Sequence, residues 1–245
     1  MSKPKRLFFD LETCPNVGLF WDSGYQINVP YENIIKERAI ICVAWKWARE
    51  KRVNVLTWDN NQDDKTLVKE FIPILNEADE IVAHNGIDFD IKWLRGRAIK
   101  HGIPMVPDYT IVDTLKIARS RFKFNSNALD YISQYLGLGS KIKTDYSLWK
   151  EVLLNNNKTA LKKMVQYCKH DVELLEQVWD KMNPYVLARS NFAEYTHQCP
   201  ECNSPTRKRK TRITAGGYRK VQFQCIKCGK YGSIAESRFM NKKKI

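Results

Sequence analysis

The 245-residue chain has no uncharged apolar run near the roughly 18 residues that a membrane span requires. It also does not open like a secreted protein. Met1–Arg6 is basic, but the chain reaches Asp10 and Glu12 without an uninterrupted apolar core or a small-residue cleavage site. Cysteine is sparse and odd in number, seven in all, which argues against a disulfide framework. There is no internal repeat of useful length and no low-complexity tract beyond Lys242–Lys244. These absences exclude membrane-spanning, disulfide-stapled and repeat architectures. The expectation they leave is a cytoplasmic protein with no membrane partner.

What is present is the composition of a folded body. Hydrophobic residues make up 43% and aromatics 11%, enough to bury a core without staples. The formal charge of +14 is unevenly spread. Residues 197–245 hold thirteen Lys or Arg against two acids, whereas the first 196 residues are only three charges positive. A basic excess packed into the last fifth of the chain implies a polyanionic partner, most simply nucleic acid. Four of the seven cysteines fall in that same fifth. Cys14, Cys42 and Cys168 sit singly in apolar surroundings and read as buried thiols.

Hydrophobic periodicity predicts strands over residues 6–13, 39–49 and 52–58, with a long excursion over 14–36 between the first two. Helical spacing follows over 63–77, with Pro73 inside it, and a brief strand over 80–84 ends at Asn85-Gly86. Further helices are predicted over 89–99, 112–119 and 127–136, with a short amphipathic piece at 148–153. The longest spans 158–182, where Leu161, Met164, Val165, Cys168, Val172, Leu175, Trp179 and Met182 form one stripe. Trp45, Trp47, Trp58, Trp93 and Trp179 are assigned to the core. Strands first, then helices interleaved with one strand, predict an α/β body with a mixed sheet. An abrupt change of composition near residue 195 marks a domain boundary.

Three segments place acids where they would converge. Asp10 and Glu12 are two apart on a strand flanked by Leu7, Phe8, Phe9 and Leu11, so both point to one face of a buried strand. Such a pair is costly without a compensating positive charge, which a divalent cation supplies. In His84-Asn85-Gly86-Ile87-Asp88-Phe89-Asp90 a strand ends, a glycine turns the chain, and an acid opens a helix. Either Asp88 or Asp90 could equally be a helix cap. Tyr167 and Asp171 stand four apart on the long helix, on one face beside the apolar stripe.

Taken in order, Asp-X-Glu, Asn-X3-Phe-Asp and Tyr-X3-Asp resemble the three exonuclease motifs of the DEDD superfamily, in its tyrosine branch. The likeness is to the proofreading domains of family-B DNA polymerases and to stand-alone phage and bacterial nucleases. It covers about residues 5–182 and includes Val112-Asp113-Thr114-Leu115. The histidine form of the third motif would want His five residues before Asp171, where Gln166 stands. The resemblance implies a ribonuclease-H-like mixed sheet flanked by helices and a 3′–5′ exonuclease using two Mg²⁺ or Mn²⁺. It assigns Asp10 to bridge both ions, Glu12 and Asp171 to the ion that activates water, and Asp90 to the second. Tyr167 would orient the attacking water. Asn85 and Phe89 are candidates for contacting the terminal nucleotide, and Phe89 is equally a candidate for the core. Asp113 is read as supporting the fold or a helix terminus.

Cys199-Pro-Glu-Cys202 and Cys225-Ile-Lys-Cys228 are two knuckles separated by twenty-two residues, a pattern that predicts a structural Zn²⁺ held by four thiolates. A metal is needed, because about forty residues with so few apolar side chains cannot fold alone. Arg207, Lys208, Arg209, Lys210, Arg212, Arg219 and Lys220 decorate the intervening hairpin, predicted over 212–214 and 219–224, and suit a phosphate backbone. The expected domains are an exonuclease body over 1–194, a zinc-ribbon over 195–236 and a basic tail over 237–245. Single-stranded nucleic acid is the expected partner, DNA favoured over RNA. A replication or repair protein is a candidate partner, since these residues hold no polymerase. An idle adaptor on the same fold and a structure-selective endonuclease remain the alternatives.

Overall fold

The computed structural model describes residues 5–22, 24, 28–242 and 244. In chain order its elements begin with strand β1 (Arg6–Thr13), the short strands β2 (Val17–Gly18) and β3 (Ile34–Lys36), β4 (Ile40–Trp47) and β5 (Asn54–Thr57). Helix α1 (Lys65–Asn76), β6 (Glu80–Ala83), α2 (Asp90–His101), β7 (Ile111–Asp113) and α3 (Thr114–Arg121) follow. Helices α4 (Leu129–Tyr135), α5 (Tyr146–Leu153) and α6 (Lys158–Met182) complete the body. The C-terminal part comprises β8 (Thr206–Ile213), β9 (Arg219–Cys225), β10 (Tyr231–Ala235) and α7 (Glu236–Asn241).

The body is built on a five-stranded sheet of order β5-β4-β1-β6-β7. β1 pairs antiparallel with β4 and parallel with β6, so it is central and covered on both faces. Its alternation divides the core in two. Leu7, Phe9 and Leu11 pack with α1 and α2 through Phe71, Ile72, Ile91 and Leu94. Phe8 faces the other layer, with Cys168, Val172 and Leu175 of α6. Because strand side chains alternate, Asp10 and Glu12 share the α6 side with Phe8.

Several departures from the periodicity have local causes. Residues 111–113 are strand, not helix, and α3 starts at Thr114 because the Asp113 carboxylate accepts from the Leu115 and Lys116 N–H groups and caps it. Pro73 lies inside α1, where the lost N–H falls one turn from the helix end. The excursion after β1 contains the two-stranded β2–β3 ladder; its residues 23 and 25–27 lie outside the described residues. The expected basic tail is largely a helix. α7 runs to Asn241 and stacks Phe239 on Phe223 of β9, with ring centroids 6.2 Å apart, an apolar contact that six residues cannot announce by period. Lys243 and Ile245 of that tail lie outside the described residues. Among the described residues no helix is long and apolar enough to cross a membrane.

A buried polar knot orders the α2 side. Asp64, with no exposed surface, accepts from Arg97 Nε at 2.6 Å and Nη2 at 2.7 Å, from the Ile40 N–H at 2.8 Å, and contacts His101 Nε2 at 2.7 Å. Burial pushes this carboxyl up, but the hydrogen bonds from Arg97, Ile40 and His101 outweigh it and hold it below the usual range. Its contribution to stability is therefore complete above the unfolded value of about 3.9 and is lost as pH falls through the depressed folded value. Arg97→Met strands this carboxylate. It should cost about 3–5 kcal/mol near neutrality, measured by urea unfolding, and the deficit should shrink as the titration is repeated down to acid pH. A deficit independent of pH would refute the pairing.

Candidate active site and metal centres

The acids come together at the end of β1. Asp10 and Glu12 lie partly exposed on its α6 side, and one ligand atom from each lies within 4.8 Å of the other and of Cys168 Sγ. Asp171, on α6, and Asp90, the first residue of α2, lie near enough for their charges to act on this pair. Both are buried, at 1% exposure. The turn that delivers Asp90 is tightly specified. Asn85 adopts a left-handed φ of 71°. A Cβ at Gly86 would fall 2.4 Å from the Ala83 Cβ. The Asp113 carboxylate accepts from the Asn85 N–H at 3.1 Å and the Ile87 N–H at 3.2 Å. Asp113 thus ties the turn to the start of α3, the supporting role expected of it. His84, just before the turn, contacts Thr114 Oγ1 at 2.9 Å, and burial lowers its pKa to about 4, so it stays neutral.

Crowding governs the protonation of this cluster. Burial first, then the charge of Asp171, raises Asp10 to about 7. Burial followed by Asp10 and Asp171 pushes Glu12 well up, and burial followed by Asp10 does the same to Asp90. Asp171 is raised by burial against the opposing pull of Lys141. Asp90 Oδ1 and Asp171 Oδ1 are buried without a hydrogen-bond partner. Orphaned carboxylate oxygens among like charges are a donor set that hard divalent cations satisfy, and four carboxylates fit Mg²⁺ or Mn²⁺, with the Cys168 thiol beside them donating to Asp10.

One member of the site was not legible in the sequence. Lys141, in the irregular connection between α4 and α5, hydrogen-bonds Asp171 Oδ2 and lies 3.4 Å from the Tyr167 hydroxyl. The Asp130 carboxylate fixes that loop by accepting the Lys141 N–H at 2.7 Å, and His170 Nε2 holds the Ser140 carbonyl at 2.9 Å. Burial pulls Lys141 down, but the charge and hydrogen bond of Asp171 together with the charge of Asp10 outweigh it, raise the lysine above its ordinary value and keep it cationic. Burial, then Asp171, raises Tyr167 to about 12, so its hydroxyl keeps its proton.

Beside the acids runs an open cleft of about 580 Å³. Thr13, next to Glu12, and Phe89, next to Asp90, form its near end, and Arg38, Trp93, Tyr146 and Trp149 line it further on. Phe89 is 38% exposed, so it belongs to the cleft and not the core. Trp93, assigned to the core by its spacing, is also half-buried here, with Arg38 stacked 4.9 Å above its ring. Trp149 donates to the Thr13 carbonyl at 3.1 Å and meets Tyr167 edge-on. Arg38 carried no pattern in the sequence, lying in the irregular stretch before β4, and Trp149 stood unmarked within the short amphipathic piece that forms α5.

The four cysteines of the C-terminal part converge with all sulfur atoms within 4.8 Å of one another. Cys199 and Cys228 are 3.7 Å apart, Cys202 and Cys225 3.6 Å. Bonds of about 2.3 Å to a tetrahedral Zn²⁺ would separate sulfurs by about 3.8 Å, so the group fits that ion. Each knuckle is followed by a residue in left-handed conformation, Asn203 and Gly229, and the Lys227 and Cys228 N–H groups point at Cys225 Sγ from 3.4 Å. Of the hairpin cations, Arg207, Arg209, Lys210, Arg212 and Lys220 are exposed without an ion pair, whereas Lys208 and Arg219 are paired with Glu236.

Comparison with known proteins agrees with this architecture. No curated protein matches the sequence. Among solved structures, the family B DNA polymerase from the hyperthermophilic archaeon Pyrobaculum calidifontis is similar at a TM-score of 0.57 and 20% identity. That match covers 75% of this chain and 25% of the polymerase, so the chain corresponds to about a quarter of that protein's length, and at this identity it speaks to the fold alone. The RNase_H superfamily matches residues 34–183, a span that holds Asp90, Tyr167 and Asp171 and begins after β1, so that Asp10 and Glu12 lie outside it. With more than half of its length matched and β1 at the centre of a mixed five-stranded sheet, the chain belongs to the RNase_H superfamily.

Proposed function

We propose that the protein is a divalent-metal-dependent 3′–5′ exonuclease that hydrolyses phosphodiester bonds at the 3′ end of single-stranded nucleic acid, DNA favoured over RNA. The observation that carries this reading is that Asp10 and Glu12 offer ligand atoms within 4.8 Å of each other, close enough to Asp90 and Asp171 for their charges to act on one another, with Lys141 bonded to Asp171 and an aromatic-lined cleft alongside. Four carboxylates repel a phosphodiester, so the cluster is useful to a nucleic acid only with cations between them. Asp10, Glu12, Asp90 and Asp171 would hold two divalent ions, which when bound would supply Lewis acidity toward the phosphate and an activated water.

The remaining work falls to side chains of the chain itself. Tyr167 keeps its hydroxyl proton and would donate it to a water beside Asp171. Lys141 orients Asp171 and brings fixed positive charge to the point where negative charge develops on the phosphate. Phe89, Trp93, Tyr146 and Trp149 offer ring faces to unstacked bases, which a duplex does not present. We further propose that residues 1–194 form the nuclease body and that the ribbon from 195 onward, held by one Zn²⁺, includes α7.

Digestion of a 5′-labelled single strand with Mg²⁺ tests the reading. A ladder descending from full length is expected; internal cuts would indicate an endonuclease, and a mobility shift alone an adaptor. Asp10→Asn should lower cleavage at least about 100-fold while strand binding persists. Lys141→Gln should reduce kcat about 100-fold with little change in KM, and Lys141→Arg should recover part of it. Wild-type turnover in Lys141→Gln would remove the lysine from the mechanism.

A further inference from the structure

The ribbon's cations are sorted by face. Directly paired residues on neighbouring strands share a face, and the registers give three rows across the sheet. Arg207, Gln224 and Tyr231 form one, Lys210, Gln222 and Ser233 the next, and Arg212, Lys220 and Ala235 the third. The register shift between Lys208 and Lys210 leaves Arg209 unpaired and brings Lys210 and Arg212 into phase with Arg207. The opposite face carries buried Val221 and Phe223 under α7.

Both acids of this part of the chain are spent elsewhere. Glu236 accepts from Arg219, Lys208 and Thr211 on the α7 side. Glu201 is buried against Lys230 at 2.9 Å and pairs with Arg6. The outer face is left with four exposed cations, two amides, a tyrosine and no carboxylate.

Where that face sits is fixed by the second of those ion pairs. Lys230, 1% exposed, joins Glu201 to Asn183 at the end of α6. Arg6, at the start of β1, links Glu201 to Glu80 and stacks over Trp179 and Phe192. Such a knot joins the knuckles to the body without slack. From Arg6 to Glu12 along β1 is about 20 Å, and from Asn183 back to Asp171 along α6 about 18 Å. The ribbon is therefore anchored at the end of the body remote from the carboxylates.

We propose that the outer face grips the phosphate backbone of the same strand whose 3′ end lies at the acids, and that it does so only beyond a minimum length. At about 3.4 Å per stacked nucleotide, about 20 Å corresponds to about six nucleotides. Shorter strands reach the acids but not the ribbon. The inference rests on the exonuclease reading for its geometry, not for its binding chemistry: four cations meet four phosphates and release their counterions.

Binding is measured on full-length protein in the cleavage-dead Asp10→Asn background, with labelled oligothymidylates of about 4 and about 24 nucleotides, lengths either side of that threshold. For the long strand, Arg207→Gln with Lys210→Gln, Arg212→Gln and Lys220→Gln should flatten the slope of log affinity against log salt by about 3, at about 0.7 per phosphate. The parent should then lose about 50-fold more affinity than the variant between about 50 and 200 mM salt. The short strand should show no difference. Neutralising exposed Lys51, Lys65, Lys69 and Lys100 to Gln, an equal change of charge, should leave the slope nearly as it was. Equal slopes on the long strand, as expected if the face takes an acidic protein, would overturn the proposal, as would an equal effect on the short strand or from the control set. A wild-type protein that cuts neither strand while the slopes still differ would remove the exonuclease reading and leave the ribbon's affinity standing.

Discussion

Four carboxylates held together in a protein cleft are the constraint around which the body is arranged. Burial and mutual repulsion both oppose their ionisation, and they push Asp10, Glu12 and Asp90 upward together. Lys141 relieves only part of this; the rest of the cost is carried by elements that are over-determined for other reasons. β1 cannot move, because its two faces fill two separate cores. α6 cannot, because its apolar stripe packs against β1, β4 and β5. The Asp90 turn is fixed by a glycine that admits no side chain and by Asp113, which holds its N–H groups. Rigidity of this kind is what a preorganised charge site requires, since the field is set before any ligand arrives.

Lys141 shows how the protein relieves part of that repulsion from within. It reaches Asp171 and Tyr167 but leaves Asp90 Oδ1 and Asp171 Oδ1 without partners. A single ammonium is a compact point charge. It steadies one acid and cannot fill the positions between all four. The remaining unpaired oxygens are those a divalent cation would take, so the lysine and the metal ions are complementary and not rivals.

The elements that announced themselves in the sequence are those whose order is local. α6 has the bounds that its three-and-four stripe predicts, and β1 those of its apolar run, because each satisfies its own backbone and buries one face or both. The five acid and tyrosine positions were singled out by their order and resemblance to a known motif set; spacing alone pairs Asp10 with Glu12 and Tyr167 with Asp171 but does not choose Asp90 over Asp88. Lys141 and Arg38 were not singled out, because the paths of irregular segments are set by tertiary contacts such as Asp130 with the Lys141 N–H; Trp149 lies on a helix that the periodicity found, but its partner Thr13 is far away in sequence. β7 was hidden for a different reason: its apolar residues run unbroken into α3, and only the Asp113 cap separates them. Charge counting located the basic ribbon but not its two faces. Lys208 and Arg219 look equivalent to Arg207 and Lys210 until the strand register and Glu236 distinguish them.

The ribbon's attachment bears on how a polyanion would approach. A buried ion-pair knot adds little net stability, since desolvation offsets attraction, but it penalises every arrangement that leaves one charge unpaired. Arg6, Glu80, Glu201, Lys230 and Asn183 thus specify one orientation of the ribbon on the body. The molecule then has fixed polarity along β1, cationic beyond its start and anionic at its end. On the proposed reading, a strand is drawn first to the basic end, where attraction is unopposed, and is repelled from the carboxylates until divalent ions neutralise them. The two metal centres would not compete for ions, because soft thiolates and hard carboxylates select different ones. Structural and reactive charge are in this way kept about 20 Å apart on the single strand that both depend on.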